Sequence, residues 1–401
     1  MAEWKECTIS EIGTVVGGAT PSTKKVENYE GGNIAWITPK DLSTLSGRYI
    51  GNGERNITEI GLKSCSAQLL PKNTILFSSR APIGYVAIAQ NEVCTNQGFK
   101  SVIPNSDINP LFLYYLLKYN KDKIENMGSG TTFKEVSGNT MKSIKVSVPC
   151  EYDEQRKIAN VLGALDDKIE ENERINNNLE QQAQAIFKSW FVDFEPFDKK
   201  MPSDWCIGTI DDLAKEIVCG KTPSTKRAEY YGSEVPFITI PDMHGKTYTI
   251  TTERYLSMIG ANSQAKKTLP KNSVCVSCIG TAGLVTLVAE ESQTNQQINS
   301  IIPKDGYSPY FVYLLMQTLS NTINKLGQSG STIVNLNKTQ FGKIQVVIPA
   351  LSTMHDFDEL VFPIFEKILQ NQKENLRLES LRDTLLPKLM SGELDVSNID
   401  L

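Results

Sequence analysis

Two stretches of the chain share one helical pattern of apolar positions. In residues 153–194, apolar residues recur at alternating steps of four and three from Ile158 to Trp190, which is the seam of a coiled-coil helix. The pattern returns 199 positions later. Two seam positions in each stretch are polar, and these are Asn172, Asn176, Asn371 and Asn375. We therefore predict two long matching helices, with the asparagines fixing the register of the pair.

The segments outside these helices alternate short apolar runs with Gly, Pro and Asn. In the first segment, strands are predicted at 34–38, 74–78, 85–89 and 144–149. Residues 110–120, which begin with proline, predict a short helix. This mixture indicates an α+β domain.

The second globular segment repeats the first. GGATPSTKK (17–25) returns as CGKTPSTKR (219–227), TNQGFKSVIP (95–104) as TNQQINSIIP (294–303), and GSGTTFKEV (128–136) as QSGSTIVNL (328–336). The repeat predicts two tandem α+β heads joined by two long antiparallel coiled-coil helices, with a pseudo-two-fold internal repeat. The predicted segments are a first head (1–150), a first helix (151–196), a second head (197–350), a second helix (351–391) and a C-terminal tail (392–401).

The helix pair has a predicted register and length. Antiparallel pairing about the pseudo-two-fold axis would place Asn172 opposite Asn375 and Asn176 opposite Asn371. Helices of about 40 residues would be about 60 Å long, since each residue adds about 1.5 Å. We expect such a pair to act as a rigid spacer between the heads.

Charge is unevenly distributed along the chain. The net charge is -5, yet residues 1–150 carry 16 Lys and Arg against 13 Asp and Glu, and residues 201–350 carry 13 against 11. The acidity therefore belongs to the helical segments, and the mildly basic heads permit nucleic-acid binding. No apolar run approaches the length of a membrane span, no signal region opens the chain, and the 8 cysteines are scattered. These features predict a cytoplasmic protein with reduced thiols and no membrane contact.

Several longer motifs resemble one known family over essentially the whole chain. They are LPKNTILFSSRAPIG followed by TNQGF, QRKIANVLGALDDKIEENERINNNLE running into FKSWFVDFEPF, and the closing LRDTLLPKLMSGEL. Together with the duplicated head and helix plan, they resemble the specificity subunit of type I restriction–modification enzymes.

The resemblance implies a function and a set of partners. Each head would be a target-recognition domain that reads one half of a bipartite, asymmetric site in double-stranded DNA. The helices would set the unread spacer and dock two modification subunits, through which two restriction subunits join. Methylation with S-adenosylmethionine, and translocation and cleavage with ATP and Mg²⁺, would belong to those partners. This chain would be a non-catalytic subunit without a cofactor or metal of its own.

The residues themselves offer little for catalysis. The sequence 109–112 (NPLF) lacks the second proline of an adenine methyltransferase motif, and a helix start explains it better. Cys275 and Cys278 form a lone CxxC in an apolar strand without a second ligand pair, so buried thiols are the preferred interpretation. The chain has only 2 histidines.

Residues identical in both heads cannot distinguish two different half-sites. They are expected to shape the domain or to contact phosphates. The Asn-Gln pairs at 96–97 and 295–296 fit loop hydrogen bonding or DNA contact equally well. The phosphate-contact candidates lie in the repeated TPSTK loops, and these are Thr20, Ser22, Thr23, Lys24 and Lys25, with Thr222, Ser224, Thr225, Lys226 and Arg227.

Residues that read bases should be polar, exposed and different between the heads. Arginine often contacts guanine bidentately and asparagine can do so with adenine. The candidates are Lys40, Arg80 and Lys134 in the first head, and His244, Lys246, Asn335 and Asn337 in the second.

Two other functions remain open. The chain could be a coiled-coil adaptor whose heads bind proteins, which salt-dependent retention on DNA would distinguish from a DNA reader. It could also be an antirestriction or orphan regulator that uses the same scaffold without partners.

Overall fold

A computed structural model describes residues 3–80, 82–130, 134–328 and 335–396. Parts of the repeated segments 128–136 and 328–336, and the end of the predicted tail, lie outside the described residues. The chain divides into two compact units. Unit 1 comprises Met1–Glu171 and Leu376–Leu401, and unit 2 comprises Asn172–Asn375. Each unit therefore contains one head and one part of each long helix.

The first head, in unit 1, contains ten strands and six short helices among the described residues. The strands are β1 (Trp4–Thr8), β2 (Gly13–Gly17), β3 (Ile34–Ile37), β4 (Tyr49–Ile50), β5 (Arg55–Ile57), β6 (Ile75–Ser79), β7 (Ile83–Ala89), β8 (Cys94–Thr95), β9 (Lys100–Pro104) and β10 (Lys145–Pro149). The helices are α1 (Ile9–Ile12), α2 (Pro39–Ser43), α3 (Glu59–Lys63), α4 (Pro110–Tyr119), α5 (Lys121–Asn126) and α6 (Gly138–Ser143).

These strands form one larger sheet and two smaller ones. The five-stranded sheet has the order β2-β9-β6-β7-β4, and a three-stranded sheet has the order β5-β3-β8. β1 pairs antiparallel with β10, which joins the start of the head to its end. The predicted strands and helix are present, so the α+β prediction is confirmed.

The second head, in unit 2, repeats this plan. Its strands are β11 (Cys206–Thr209), β12 (Ala214–Cys219), β13 (Tyr231–Gly232), β14 (Val235–Ile238), β15 (Tyr248–Thr249), β16 (Tyr255–Leu256), β17 (Val274–Ser277), β18 (Val285–Val288), β19 (Gln293–Thr294), β20 (Ile298–Pro303) and β21 (Gln345–Ile348). Its helices are α8 (Ile210–Leu213), α9 (Ile240–Met243), α10 (Met258–Asn262), α11 (Pro309–Thr318), α12 (Ser320–Gly327) and α13 (Lys338–Gly342).

The sheets of the second head match those of the first, except that the smaller sheet gains the strand β13. The larger sheet has the order β12-β20-β17-β18-β15, a smaller one has the order β13-β16-β14-β19, and β11 pairs with β21. Each strand of the larger sheet has its counterpart at the same place in the first head. The predicted internal repeat is therefore confirmed at the level of strand order.

The two long helices are α7 (Tyr152–Phe191) and α14 (Leu351–Met390). In unit 1, Ile158 and Leu162 of α7 join an apolar core with Phe112 of α4 and Leu389 of α14. In unit 2, the core is rich in aromatic rings, and Phe191 lies 4.8 Å from Phe311 between ring centroids. Burying each such side chain stabilises the fold by about 1.5–3 kcal/mol.

Asparagines pair across the helices within unit 2. The Asn172 side chain donates to Asn375 at 2.8 Å, and the Asn371 side chain donates to Asn176 at 2.8 Å. All four side chains are buried. These are the pairs expected for antiparallel packing in the predicted register.

At some other positions of each helix, the buried residue is the one that follows the predicted seam residue. Leu165 is half-buried whereas Asp166 is buried, and Ile364 is half-buried whereas Phe365 is buried. An α-helix repeats every 3.6 residues and not every 3.5, so a straight helix drifts away from a strict heptad pattern. The shift brings a carboxylate into the core of unit 1. Among the described residues, no helix has the length and apolar character needed to cross a membrane.

Candidate nucleic-acid interface

In the first head, five loops meet where strands of the five-stranded and three-stranded sheets end. The Ala19 amide donates to the Thr95 carbonyl at 3.0 Å, and the Asn96 amide donates to the Ile37 carbonyl at 3.0 Å. The Ser79 amide donates to the Gly98 carbonyl at 2.7 Å. We call this surface the loop edge of the first head, and it comprises residues 18–25, 38–41, 79–80, 95–99 and 134–136.

The TPSTK segment forms a fixed turn on the loop edge. The Thr20 hydroxyl donates to the Gln97 side chain, and the Tyr29 hydroxyl donates to the Pro21 carbonyl at 2.7 Å. A Cβ atom at Gly18 would collide with the carbonyl oxygens of Thr95 and Asn96, so only glycine allows this close approach. The side chains that follow the turn are all exposed, and these are Ser22, Thr23, Lys24 and Lys25.

The second head builds the same turn with the same contacts. The Thr222 hydroxyl donates to Gln296 at 2.7 Å, and the Tyr231 hydroxyl donates to the Pro223 carbonyl at 2.9 Å. Gly220 makes the close approach that Gly18 makes in the first head. The loop edge of the second head comprises residues 220–227, 239–244, 278–279, 294–297 and 335–337, and its exposed candidates are Ser224, Thr225, Lys226 and Arg227.

The duplicated Asn-Gln pairs shape the loops. The Asn96 side chain accepts from the Gly98 amide at 2.8 Å, and the Asn295 side chain accepts from the Gln297 amide at 3.0 Å. Together with the threonine contacts of Gln97 and Gln296, these bonds confirm the loop-building interpretation of the pairs. The bonds to the glutamines also occupy Thr20 and Thr222, which leaves the serines, lysines and arginine, with Thr23 and Thr225, as the groups that face solvent.

The predicted base readers of the first head lie on its loop edge. Arg80 Nη1 lies 3.9 Å from Glu135 Oε2, and Lys100 Nζ lies 3.4 Å from Glu135 Oε1. Arg80 also forms an isolated backbone bridge to Glu135, next to the exposed Lys134. Lys40 forms an exposed ion pair with Glu54 at 2.7 Å. Surface ion pairs of this kind contribute about 0–1 kcal/mol to stability. Arg80 and Lys40 can therefore exchange their carboxylate partners for another anion.

The candidates of the second head divide into different environments. Asn335 is exposed and forms an isolated bridge with Ile279, at the position that corresponds to the Arg80–Glu135 bridge. Asn337 caps α13, because its side chain accepts from the Gln340 amide at 2.9 Å. That bond occupies the oxygen that a bidentate contact to adenine would use. His244 is exposed at the end of α9, and Lys246 is half-buried.

Lys246 lines a cleft of about 820 Å³ in unit 2. The cleft lies between α7 and the second head, and its walls include Glu180, Thr247, Tyr313 and Leu314. The Thr247 hydroxyl donates to the Glu180 carboxyl group. Burial raises the pKa of Glu180 to about 7, because a desolvated carboxylate loses its hydration.

The raised pKa of Glu180 predicts a pH-dependent stability of unit 2. The folded state holds a proton on this group up to about pH 7, whereas the unfolded chain releases it near the ordinary value of 4.5. Stability should therefore fall as pH rises from about 4.5 to 7 and then stay level. We expect Glu180→Gln to remove this loss and to stabilise unit 2 by about 1–3 kcal/mol at pH 8.

Chemical denaturation at pH 5 and pH 8 measures this effect. The gain for Glu180→Gln should be much smaller at pH 5 than at pH 8. Glu173→Gln, on the same helix, serves as the control. An equal effect of Glu180→Gln at both pH values would argue against a buried, protonated Glu180.

Two further groups belong to the Arg80 cluster of the first head. They are Glu135, on the loop edge, and Lys100, directly after it, and neither is among the predicted site residues. The position of Lys100 directly after the repeated TNQGF segment is the signal that could have identified it. Cys275 and Cys278 are both buried with free thiols, in agreement with the interpretation of the CxxC segment.

The family model described as "Type I restriction modification DNA specificity domain" matches residues 1–181 and again residues 202–380. The two matches together span most of the chain, one for each repeat. The chain belongs to the type I restriction–modification DNA specificity family. This membership accounts for the two heads and for the repeated helix.

Known members of the specificity family align along the whole chain. The MjaIX specificity subunit of Methanocaldococcus jannaschii is 35% identical, over 99% of this chain and 95% of that protein. The HindI specificity subunit of Haemophilus influenzae is 32% identical, over 98% of this chain and 100% of that protein. A crystal structure of an S subunit from M. genitalium has the same fold, with a TM-score of 0.62, 18% identity and coverage of 97% and 96% of the two chains.

Proposed function

We propose that this chain is the sequence-specific DNA-recognition subunit of a type I restriction–modification complex, in which each head reads one half of a bipartite site. The observation that carries the proposal is the duplicated loop edge. The TPSTK turn and its hydrogen bonds, which form the frame of the loop edge, are the same in the two heads. Exposed side chains around this frame differ between the heads. A protein that reads two different half-sites through one mode of docking needs this combination.

The shared part of each loop edge suits contacts with the DNA backbone. In each head, a glycine and several hydrogen bonds hold the turn in place. The exposed cations beside it are Lys24, Lys25, Lys226 and Arg227. Cations and hydroxyl groups at fixed positions bind phosphate oxygens without regard to sequence. These shared groups would therefore position each head on the DNA backbone. Thr20 and Thr222 would hold the turn in place through their bonds to Gln97 and Gln296.

The differing part suits the reading of bases. In the first head, Arg80 and Lys134 lie beside the weakly held Glu135. In the second head, Ile279 takes the place of Arg80 and Asn335 that of Glu135, so this bridge carries no cation. We propose Arg80, Lys134 and Asn335 as base-contacting residues, followed by Lys40 and His244. Asn337 and Lys246 are weaker candidates, because one caps a helix and the other lines the cleft.

The reaction chemistry would belong to partner subunits. Two modification subunits would dock on the helices and use S-adenosylmethionine, and two restriction subunits would join through them and use ATP with Mg²⁺. This chain would contribute the recognition of DNA without catalytic turnover. Methyltransferase or ATPase activity of the purified chain alone would contradict this division.

Co-expression with the modification subunit encoded beside this chain tests the proposal. Methylome sequencing of cells with and without the chain should show a bipartite, adenine-methylated motif only when the chain is present. A stable complex that methylates no motif would favour an inactive regulator. If no complex forms and DNA retention does not depend on salt, a protein-binding adaptor would replace the proposal.

Arg80→Ala is predicted to relax recognition at one base pair of one half-site. Loss of a bidentate contact to guanine should reduce discrimination there by about 1–3 kcal/mol, while the other half-site stays unchanged. Binding to DNA with single-base changes in each half-site measures this. Lys24→Ala is the matched control, because loss of a phosphate contact should weaken binding to all sequences and lower the salt dependence. If Arg80→Ala behaves like Lys24→Ala, Arg80 does not read bases.

The paired asparagines are proposed to fix the register of the helices. Replacing Asn172 and Asn375 together by leucine should stabilise the pair, since an apolar seam is more stable than a polar one, but should admit slipped alignments. Chemical crosslinking between α7 and α14 should then show several registers where the wild type shows one. If the double variant shows a single register, the asparagines do not fix the register of α7 and α14.

A further inference from the structure

A buried ion pair joins the two long helices within unit 1. Arg382 of α14 donates to Asp166 of α7 at 2.7 Å, and the Tyr115 hydroxyl donates to the other Asp166 oxygen at 2.6 Å. Asp166 is 5% exposed. Burial, followed by the nearby Asp166 carboxylate, raises the pKa of Tyr115, so its hydroxyl stays protonated and keeps donating. Both carboxylate oxygens are thus satisfied inside the core.

The related positions of unit 2 are apolar. The repeat offset of 199 residues relates Asp166 to Phe365, Arg382 to Ala183, and Tyr115 to Leu314. Phe365 and Ala183 are fully buried and lie in the same apolar cluster as Leu314. One end of the helix pair therefore carries charges where the related end carries none.

The asparagines do not carry this distinction. Asn172 and Asn371 are related by the repeat, as are Asn176 and Asn375. If α7 paired antiparallel with α7 of a second copy, Asn172 would still meet an Asn176. The asparagine layer would thus be equally satisfied in like-with-like pairing, and it cannot select the helix with which α7 pairs.

The charged pair would not survive like-with-like pairing. Two α7 helices would place each Asp166 against an Ala183, and two α14 helices would place each Arg382 against a Phe365. Each Asp166 would then lose its arginine and keep only the Tyr115 hydroxyl, and each Arg382 would keep only Asp383 of its own helix. A buried charge without a partner disfavours a structure by about 10²- to 10³-fold, because neither water nor a counter-ion compensates it.

We propose that Asp166 and Arg382, set against Phe365 and Ala183, form a pairing code that directs each helix to the other repeat and rejects a second copy of itself. The two repeats are alike enough for their helices to pair with their own kind, which would yield a dimer of chains. The charges on one end exclude that dimer. This role is independent of DNA binding, since it concerns only which helices associate.

Moving the arginine from α14 to α7 should reverse the preference. In the full-length variant Ala183→Arg with Arg382→Ala, the pairing within one chain leaves neither Asp166 nor the introduced arginine with an ion-pair partner across the helices. Pairing of α7 with α7 of a second copy joins them twice, and pairing of α14 with α14 becomes entirely apolar. The tethered pairing has an effective concentration of about 1 mM, so it is favoured about 100-fold at 10 µM chain. Asp166 and the introduced arginine together disfavour the pairing within one chain by more than this roughly 100-fold advantage.

Light scattering coupled to size-exclusion chromatography measures the mass. We expect wild type to be a monomer at 10 µM and A183R/R382A to have twice its mass. The control variant adds Asp166→Phe and Phe365→Asp to A183R/R382A. It rebuilds the ion pair at the other end of the helices, so it should be a monomer again.

A crosslinking measurement identifies the helices that pair. One tagged copy carries Asn172→Cys and a differently tagged copy carries Asn176→Cys, both in the A183R/R382A background, and mass spectrometry maps the disulfides. A link between the copies at 172 and 176 supports the code. A folded monomer of A183R/R382A, or a dimer of the control variant, overturns it. If A183R/R382A does not fold, A183K/R382A is measured with the same two outcomes.

Discussion

Replacing Arg48 by alanine is expected to destabilise unit 1 by about 3–5 kcal/mol. Arg48 lies in the first head, and its side chain is 4% exposed. Its guanidinium donates to Glu170 at 2.9 Å, to the Gly163 carbonyl at 3.3 Å and to Asp167, all on α7. The Arg48 backbone amide also donates to Glu170 at 2.9 Å. Truncation leaves a cavity and removes the cation that compensates a half-buried carboxylate.

Hydrogen exchange resolved along the chain measures this loss, because it reports unit 1 and unit 2 separately. Protection of β6 and β7 should fall in Arg48→Ala, while protection of β17 and β18 stays unchanged. Arg55→Ala is the matched control, since Arg55 is an exposed arginine in the same unit whose side chain lies over the Tyr29 ring, at 5.1 Å from its centroid. The control should lose less than about 1 kcal/mol. A comparable loss in both variants would mean that the buried network contributes little.

Lengthening both long helices is expected to lengthen the spacer that the complex recognises. Seven added residues make about two turns and about 10.5 Å of helix, which is the length of about three base pairs. A copy of residues 173–179 inserted into α7, with a copy of residues 372–378 inserted into α14, keeps the seam and adds the same length to both helices. The half-sites should stay unchanged, while the unread spacer grows by up to about three base pairs.

Methylome sequencing of cells that express the lengthened chain with its modification subunit measures the spacer directly. A five-residue insertion at the same two places is the control, because it rotates the seam away from its partner and should unfold the pair. An unchanged spacer in a folded, active seven-residue variant would contradict the ruler role of the helices.

The features that could be predicted from the sequence are those with a local or repeated signal. The long helices follow from their seam spacing, and the asparagine pairs follow from the repeat offset. The turn at TPSTK was visible because its residues recur in both heads. The Asn337 cap also has a local signal, since Asn337 and Gln340 have the spacing of a capping box, although the difference between the heads predicts base reading for the same asparagine.

The buried polar network of unit 1 had no such signal. Tyr115 and Asp166 are 51 positions apart, and Asp166 and Arg382 are 216 positions apart. Neither contact follows a periodic pattern, and Asp166 lies one residue outside the predicted seam. The arginine at seam position 382, where the first helix has Ala183, was the one visible irregularity. The folded structure was needed to supply its partner.

The placement of the asparagine layer also has a consequence for how the chain unfolds. The boundary between the units falls between Glu171 and Asn172 in one helix and between Asn375 and Leu376 in the other. The four hydrogen-bonded asparagines thus all belong to unit 2, and each unit has an apolar core of its own. The molecule should melt as two domains of cooperativity, each spanning distant parts of the sequence. During synthesis, the second head is complete before residues 376–390 of α14 have been made. Unit 1 needs those residues, so it should be the last unit to become resistant to proteases.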